Sequence, residues 1–154
     1  MLKQGDKALE FSLKDKDGKL HGLKNIKSNF IIVYFYPKDN TPGCTIEAKE
    51  FSDLKKEFDK INCEIIGISG GDKKSKEKFV KSCKLKITLL SDTNFKTCKK
   101  YKVYGEKSFM GKKFLGIKRT TFILDKNKKI IKIYGNVKVF NHGKEVLEFV
   151  KSKI

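Results

Sequence analysis

The sequence predicts an α/β protein in which a central mixed β-sheet is flanked by helices, with a β-hairpin at the N-terminus. Three observations carry this reading. Residues 30–36 (FIIVYFY) form an unbroken run of apolar, β-branched and aromatic side chains ended by Pro37, the pattern of a strand covered on both faces. Short runs of this kind then alternate with stretches whose apolar residues recur every three or four positions. A hairpin signal and one last helical stretch close the chain.

At the N-terminus, residues 11–13 and 19–23 flank Asp15-Lys-Asp-Gly18, a turn sequence between two short strands. The central strand at 30–36 follows. From 45 to 60 the period changes: Phe51, Leu54, Phe58 and Ile61 form one helical apolar stripe. CEIIGIS (63–69) reads as a second buried strand, and 72–84 as a strongly basic helix in which Phe79 and Cys83 share a face. A third strand is expected at 87–90, a short helix at 94–101 and a strand at 121–124. That strand turns through Asp125-Lys-Asn127-Lys into 130–134. Val146, Leu147, Phe149 and Val150 supply the apolar residues of a final helix at 145–151. No linker or repeat interrupts this order, so residues 1–154 are expected to form one domain, a size that needs no disulfide or metal to fold.

Charge and cysteine usage narrow the function. There are 36 basic and 18 acidic residues, a formal net charge of +18, and all but one of the basic residues are lysines spread along the chain. Such a field could attract an acidic partner. With no stacking platform, zinc pattern or recognition motif, nucleic acid is not the expected partner. The run at 30–36 is too short to span a bilayer and the N-terminus lacks a signal peptide's apolar stretch, so no membrane partner is expected. Four cysteines, at 44, 63, 83 and 98, form no C-x-x-C pair. They read as free thiols of a cytoplasmic protein.

Of the four, Cys44 is singled out by its setting. It ends Pro37-Lys-Asp-Asn-Thr41-Pro-Gly-Cys44, just past the central strand and at the start of the next helix. First-turn N–H groups and the positive end of the helix dipole stabilise a thiolate there. They can also hold the negative oxygen that develops when it attacks a substrate. Thr41 lies three residues upstream, where its hydroxyl can reach the sulfur or a bound oxygen. Pro37 and Pro42 stiffen the loop, and Gly43 provides a close turn into the helix. His21 and His142 are distant in sequence and carry no local catalytic motif, which argues against a cysteine–histidine hydrolase. Arg119, the lone arginine, stands in GIKRTTF.

YFYPKDNTPGCTIEA, together with TLLSD (88–92), the segment 101–125 and VKVFNHGKEVL (137–147), resembles in the same order the thioredoxin-fold peroxiredoxins, in their bacterioferritin comigratory protein or peroxiredoxin Q branch. The resemblance implies a thioredoxin-like fold and a thiol-dependent peroxidase that reduces hydrogen peroxide and organic hydroperoxides through a cysteine sulfenic acid. Cys44 matches the peroxidatic cysteine, Pro37 and Thr41 the pocket's proline and threonine, and Arg119 the arginine that approaches the sulfur. A planar guanidinium suits that place because it directs several hydrogen bonds at once, which an ammonium does not. No metal or organic cofactor is implied. The implied partners are a hydroperoxide and an external thiol reductant, thioredoxin or glutaredoxin, acting on a monomer.

Two departures bear on the catalytic cycle. The position five residues after the peroxidatic cysteine, where many relatives carry a resolving cysteine, is Lys49. The other position used in the branch, just after the phenylalanine matching Phe79, is Val80. Cys83, one helical turn further on, is the first candidate to resolve the sulfenate and Cys98 a second, while Cys63 fits a core role better. A one-cysteine cycle closed by an external thiol stays open. Leu9 stands where the family usually has proline.

Overall fold

The computed structural model describes residues 2–154. β1 (Ser12–Lys14) and β2 (Leu20–Gly22) form the N-terminal hairpin, followed by β3 (Phe30–Phe35), α1 (Pro42–Asp53), α2 (Lys55–Lys60) and β4 (Cys63–Ser69). Next come α3 (Lys73–Cys83), β5 (Thr88–Ser91), α4 (Lys96–Lys100), β6 (Tyr104–Phe109) and β7 (Lys112–Ile117). β8 (Thr120–Asp125), β9 (Ile130–Tyr134) and α5 (His142–Lys151) complete the order. Seven strands form one sheet in the order β2-β1-β5-β4-β3-β8-β9, and β6 and β7 form a separate two-stranded sheet. β3, β4 and β5 are parallel, whereas β8 and β9 run antiparallel, so the expected mixed sheet is present.

β3 sits between β4 and β8, and its lack of polar alternation has a direct cause. Ile32, Tyr34 and Tyr36 enter one core with Phe51, Phe58, Phe79 and Val146, from α1, α2, α3 and α5. Ile31, Val33 and Phe35 enter a second core with Cys98, Tyr101 and Val103. Both faces are therefore dry. Full burial of each large apolar side chain contributes about 1.5–3 kcal/mol, which makes this strand the mechanical centre of the molecule.

The expected elements recur with three differences. The stripe expected over 45–60 is carried by two helices, because the chain relaxes at Leu54 (φ −92°, ψ 3°), which caps α1 and opens α2. Phe51 and Phe58 still reach one core because the interruption leaves the phase intact. The β6–β7 hairpin was not expected: its strands mix lysine, glycine and exposed apolar residues and show no alternation. Its two-residue turn, Met110-Gly111, has positive φ at both positions, as a tight hairpin requires.

The third difference concerns α3. Asp72 caps its N-terminus by accepting from the Ser75 N–H at 2.9 Å, and Lys84 ends it in the left-handed conformation. On this helix of lysines, Lys76 is fully buried. Its Nζ donates to Asp39 Oδ2 (3.0 Å), Ser69 Oγ (2.6 Å) and the Gly71 carbonyl (3.2 Å). Asp39 also accepts from Tyr36 Oη (2.6 Å) and Ser75 Oγ (2.6 Å). An added Cβ at Gly71 would lie 2.1 Å from Asp39 Oδ2, so no larger residue fits beside the pair. Burial lowers the Lys76 pKa from its ordinary value, and Asp39 opposes that shift. The network clamps the loop after β3 to α3.

Removing one partner leaves the other charge buried and unpaired, a loss of about 3–5 kcal/mol. Lys76→Ala is therefore expected to lower unfolding stability in urea by that order. Lys78→Ala, at an exposed site on the same helix, is expected to change it by less than about 0.5 kcal/mol. Equal effects of the two substitutions would show that the clamp contributes nothing.

Candidate active site

β3 ends at Phe35, and the Tyr36 N–H still bonds to the Ile68 carbonyl (3.1 Å) before Pro37 breaks the pairing. The chain leaves the end of this central strand through Lys38, Asp39 and Asn40, the last at φ 60°, and enters α1. Thr41 is the N-cap in extended conformation and Pro42 the first helical residue. The first helical hydrogen bond runs from Thr45 N to Thr41 O (2.8 Å). Since Pro42 has no N–H, Gly43 and Cys44 supply the first-turn donors left for a ligand. Cys44 is thus the third helical residue, and it is buried.

Arg119 arrives from the opposite direction. The β3–β8 register pairs Phe35 with Thr120, so the residue before Thr120 falls beside the end of β3. Its Nη2 donates to Cys44 Sγ at 3.3 Å and its Nη1 to Glu47 Oε1 at 2.7 Å. Burial disfavours the guanidinium charge, but Cys44 and Glu47 more than offset this and hold its pKa above the ordinary value. Gly43 is helical with no positive φ; its small size matters because an added Cβ would sit 3.3 Å from Arg119 Nη2. Glycine here leaves room for the arginine, a different reason from the turn expected.

Thr41 is placed differently from expectation. Its hydroxyl donates to the Lys38 carbonyl (2.8 Å) and does not reach the sulfur, because the extended N-cap backbone turns it into the loop. With the proton so committed, the oxygen's lone pairs are free to accept from an incoming O–H. Pro37 is half-buried at the start of the same loop. Neither histidine joins the site: His21 bonds Asp15 Oδ2 (2.8 Å) in the N-terminal hairpin, and His142 is buried between Thr121 Oγ1 (2.8 Å) and Glu145.

Glu47 escaped the sequence reading. It lies one turn after Cys44 on the same helical face, with its side chain fully buried and Oε2 lacking a hydrogen-bond partner. Burial pushes its carboxyl up to about 7, against the pull of Arg119. The i, i+3 spacing from Cys44 was the available signal: a lone buried arginine needs a carboxylate, and this is the nearest one on the helix.

The other cysteines separate by position. Cys83 is the last residue of α3, half-buried and packed against the same core as Cys44 and Val80. Its neighbour Ser82 donates to Asn40 Oδ1 in the Cys44 loop (3.0 Å). Cys98 belongs to the core on the other face of the sheet, where Asp92 accepts from its N–H (2.8 Å) and burial with Asp92 raises its thiol pKa. Cys63 starts β4 at the far end of the sheet, its pKa pushed up to about 12 by burial. Lys49 is exposed on α1. All four thiols are free, and no group of metal-ligating side chains occurs among the described residues.

Residues 4–133 match the AhpC/TSA family. The chain belongs to that family. Peroxiredoxin Bcp of Escherichia coli K12 is 40% identical over 150 residues, covering 97% of this chain and 96% of that protein. Peroxiredoxin Bcp of Bacillus subtilis is 38% identical, covering 96% and 94%. Among solved structures, a PrxQ mutant from Xylella fastidiosa superposes with a TM-score of 0.93 at 31% identity, covering 99% of this chain and 98% of that one. The bacterioferritin comigratory protein of Xanthomonas campestris, described with its alkyl peroxide reduction activity, gives 0.88 at 34% identity, covering 96% and 99%. The fold of this AhpC/TSA member is therefore the thioredoxin-like one that the resemblance implied.

The site carries a pH signature. A carboxyl whose folded pKa lies above its ordinary 4.5 keeps a proton in the folded state that the unfolded chain has already released. Its contribution to stability therefore falls as pH rises from about 4.5 to about 7. Glu47→Gln is expected to flatten that decline in urea unfolding across the window. An unchanged slope would place the titration elsewhere.

Proposed function

We propose that this AhpC/TSA member, acting as one domain over residues 1–154, reduces hydrogen peroxide and organic hydroperoxides with Cys44 as peroxidatic nucleophile. The observation that carries the reading is Arg119 Nη2 at 3.3 Å from Cys44 Sγ, in the first turn of α1. Family membership makes the chain a thiol-dependent peroxidase, and the site's geometry supports the roles assigned below.

The Cys44 thiolate attacks one oxygen of the hydroperoxide along the O–O axis. The S–O bond forms as the O–O bond breaks, and the leaving oxygen takes a proton and departs as alcohol or water. Sulfur is oxidised to the sulfenic acid and the peroxide is reduced by two electrons. Arg119 and the N–H groups of Gly43 and Cys44 meet the charge spread over sulfur and both oxygens, in a buried place where each donor counts for more than in water. Thr41 Oγ accepts from the substrate O–H and orients it, while Pro37 shapes the pocket wall. Glu47 fixes one arm of the Arg119 fork so that the other faces the sulfur.

Cys83 is the resolving residue this geometry favours. It shares the Cys44 face of the sheet, and the Ser82–Asn40 hydrogen bond puts the end of α3 against the Cys44 loop. Opening the last turn of α3 lets its thiolate attack the sulfenic sulfur, whose hydroxyl takes a proton from solvent and leaves as water, forming a disulfide for a thioredoxin- or glutaredoxin-type thiol to reduce. Cys98 is dropped as a resolver, since the sheet separates it from Cys44. The protein is read as a monomer, and its four free thiols suit the reducing cytoplasm.

Cys44→Ser is expected to abolish peroxide consumption. Arg119→Lys, which keeps the charge but loses the fork, is expected to slow it about 10²–10³-fold in stopped-flow assays. Intact-mass spectrometry after one equivalent of peroxide tests the resolver: wild type is expected to lose two hydrogens, and Cys83→Ser to accumulate trappable sulfenic acid. Trappable sulfenic acid in both proteins would assign resolution to an external thiol.

A further inference from the structure

The β6–β7 hairpin stands apart from the main sheet and, among the described residues, holds most of the exposed large apolar side chains. Met110 at its tip is 87% exposed, Phe109 68% and Leu115 67%, with Phe114 at 47%. The cross-strand register puts Lys107 opposite Phe114 and Phe109 opposite Lys112, so one face of the ribbon carries two aromatic rings interleaved with two lysines. Lys107 Nζ lies 5.9 Å from the Phe114 ring centroid and donates to the Ile117 carbonyl (2.8 Å). Between positions 96 and 118 there are eight lysines and one acidic residue, Glu106. Glu106 is itself held by Lys113 (3.7 Å).

This hairpin borders the Cys44 site. β7 ends two residues before Arg119. Lys107, which lies on the aromatic face, is tied through its Nζ to the Ile117 carbonyl two residues before Arg119.

We propose that the β6–β7 hairpin is a docking surface for an anionic lipid bilayer, its Phe109-Met110 tip entering the headgroup region while the flanking lysines meet lipid phosphates. Rings and thioether at a narrow tip need a yielding apolar medium, and lysine stems lie along apolar surface with their ammonium groups held out to the phosphates. A second copy of the chain fits poorly, because both partners would carry +18. A nucleic-acid duplex would satisfy the lysines but bury none of the apolar tip. No helix among the described residues is long and apolar enough to cross a membrane, so the contact is peripheral. The expectation of no membrane partner rested on the lack of a spanning segment, which a surface contact does not require. Docking would bring the site to peroxidised lipid: the Cys44 thiolate takes one oxygen of the lipid hydroperoxide, and the other leaves with a proton as lipid alcohol, giving the sulfenic acid. This last step rests on the peroxidase reading above; docking itself does not.

Sedimentation with phosphatidylglycerol–phosphatidylcholine vesicles at physiological salt tests the surface, with pure phosphatidylcholine vesicles as reference. Wild type is expected to bind the anionic vesicles, and Phe109→Ser/Met110→Ser to bind about tenfold or more weakly while consuming hydrogen peroxide at the wild-type rate. Equal binding by the variant would reduce the effect to diffuse attraction by net charge and overturn the docking surface, as would absence of wild-type binding. Tip-dependent self-association in sedimentation velocity without lipid, or tip-dependent binding of an acidic thiol reductase with no vesicle binding, would assign the surface to a protein instead. Failure of wild type to consume hydrogen peroxide would count against the peroxidase reading and leave the vesicle result to stand on its own.

Discussion

The antiparallel pairing of β8 against β3 is the constraint on which the site depends. It places Arg119 beside the end of the central strand, where the loop to α1 begins, and so brings a guanidinium to a thiol 75 positions away in sequence. Because β3 is packed on both faces, neither partner can drift without opening a core. The Arg119 fork then joins two residues one turn apart on α1, the Cys44 sulfur and the Glu47 carboxyl group, the pair on which the proposed chemistry rests. A donor array fixed by sheet register and helix pitch has little reorganisation left to do when charge develops.

The same loop is held from its other side by a buried charge pair. Asp39 and Lys76 are each hydrogen-bonded several times, which offsets the large cost of removing them from water, and the clamp ties the Cys44 loop to the helix that ends in Cys83. The clamp sits near the start of α3 and Cys83 is its final residue. The buried clamp thus lies at one end of the helix and the Cys83 thiol at the other. This division suits a chain with lysine at the usual resolving position on α1.

Local patterns were legible wherever one physical cause dominated. The two-sided strand at 30–36, the Asp15–Gly18 turn and the helical start at Cys44 each follow from hydrophobic periodicity or from turn and cap chemistry, and each recurs in the structure. The β6–β7 hairpin was hidden because its strands bury almost nothing, which leaves no alternation to detect. Lys76 was hidden because it is one lysine among many; only the carboxylate that meets it makes it unlike its neighbours.

Through its family resemblance the sequence marked Lys49 as standing where many relatives carry a resolving thiol, and by itself it identified a cysteine at a helix N-terminus after a central strand and a lone arginine. These depend on residue identity and on spacing within one element. Tertiary structure decided which groups meet: Arg119 with both Cys44 and Glu47, the Thr41 hydroxyl with its own loop, Cys83 on the sulfur's side of the sheet and Cys98 on the other. Such contacts join residues far apart in the chain, and their geometry follows from strand register and from which face of the sheet each helix covers. Neither is written in any one segment.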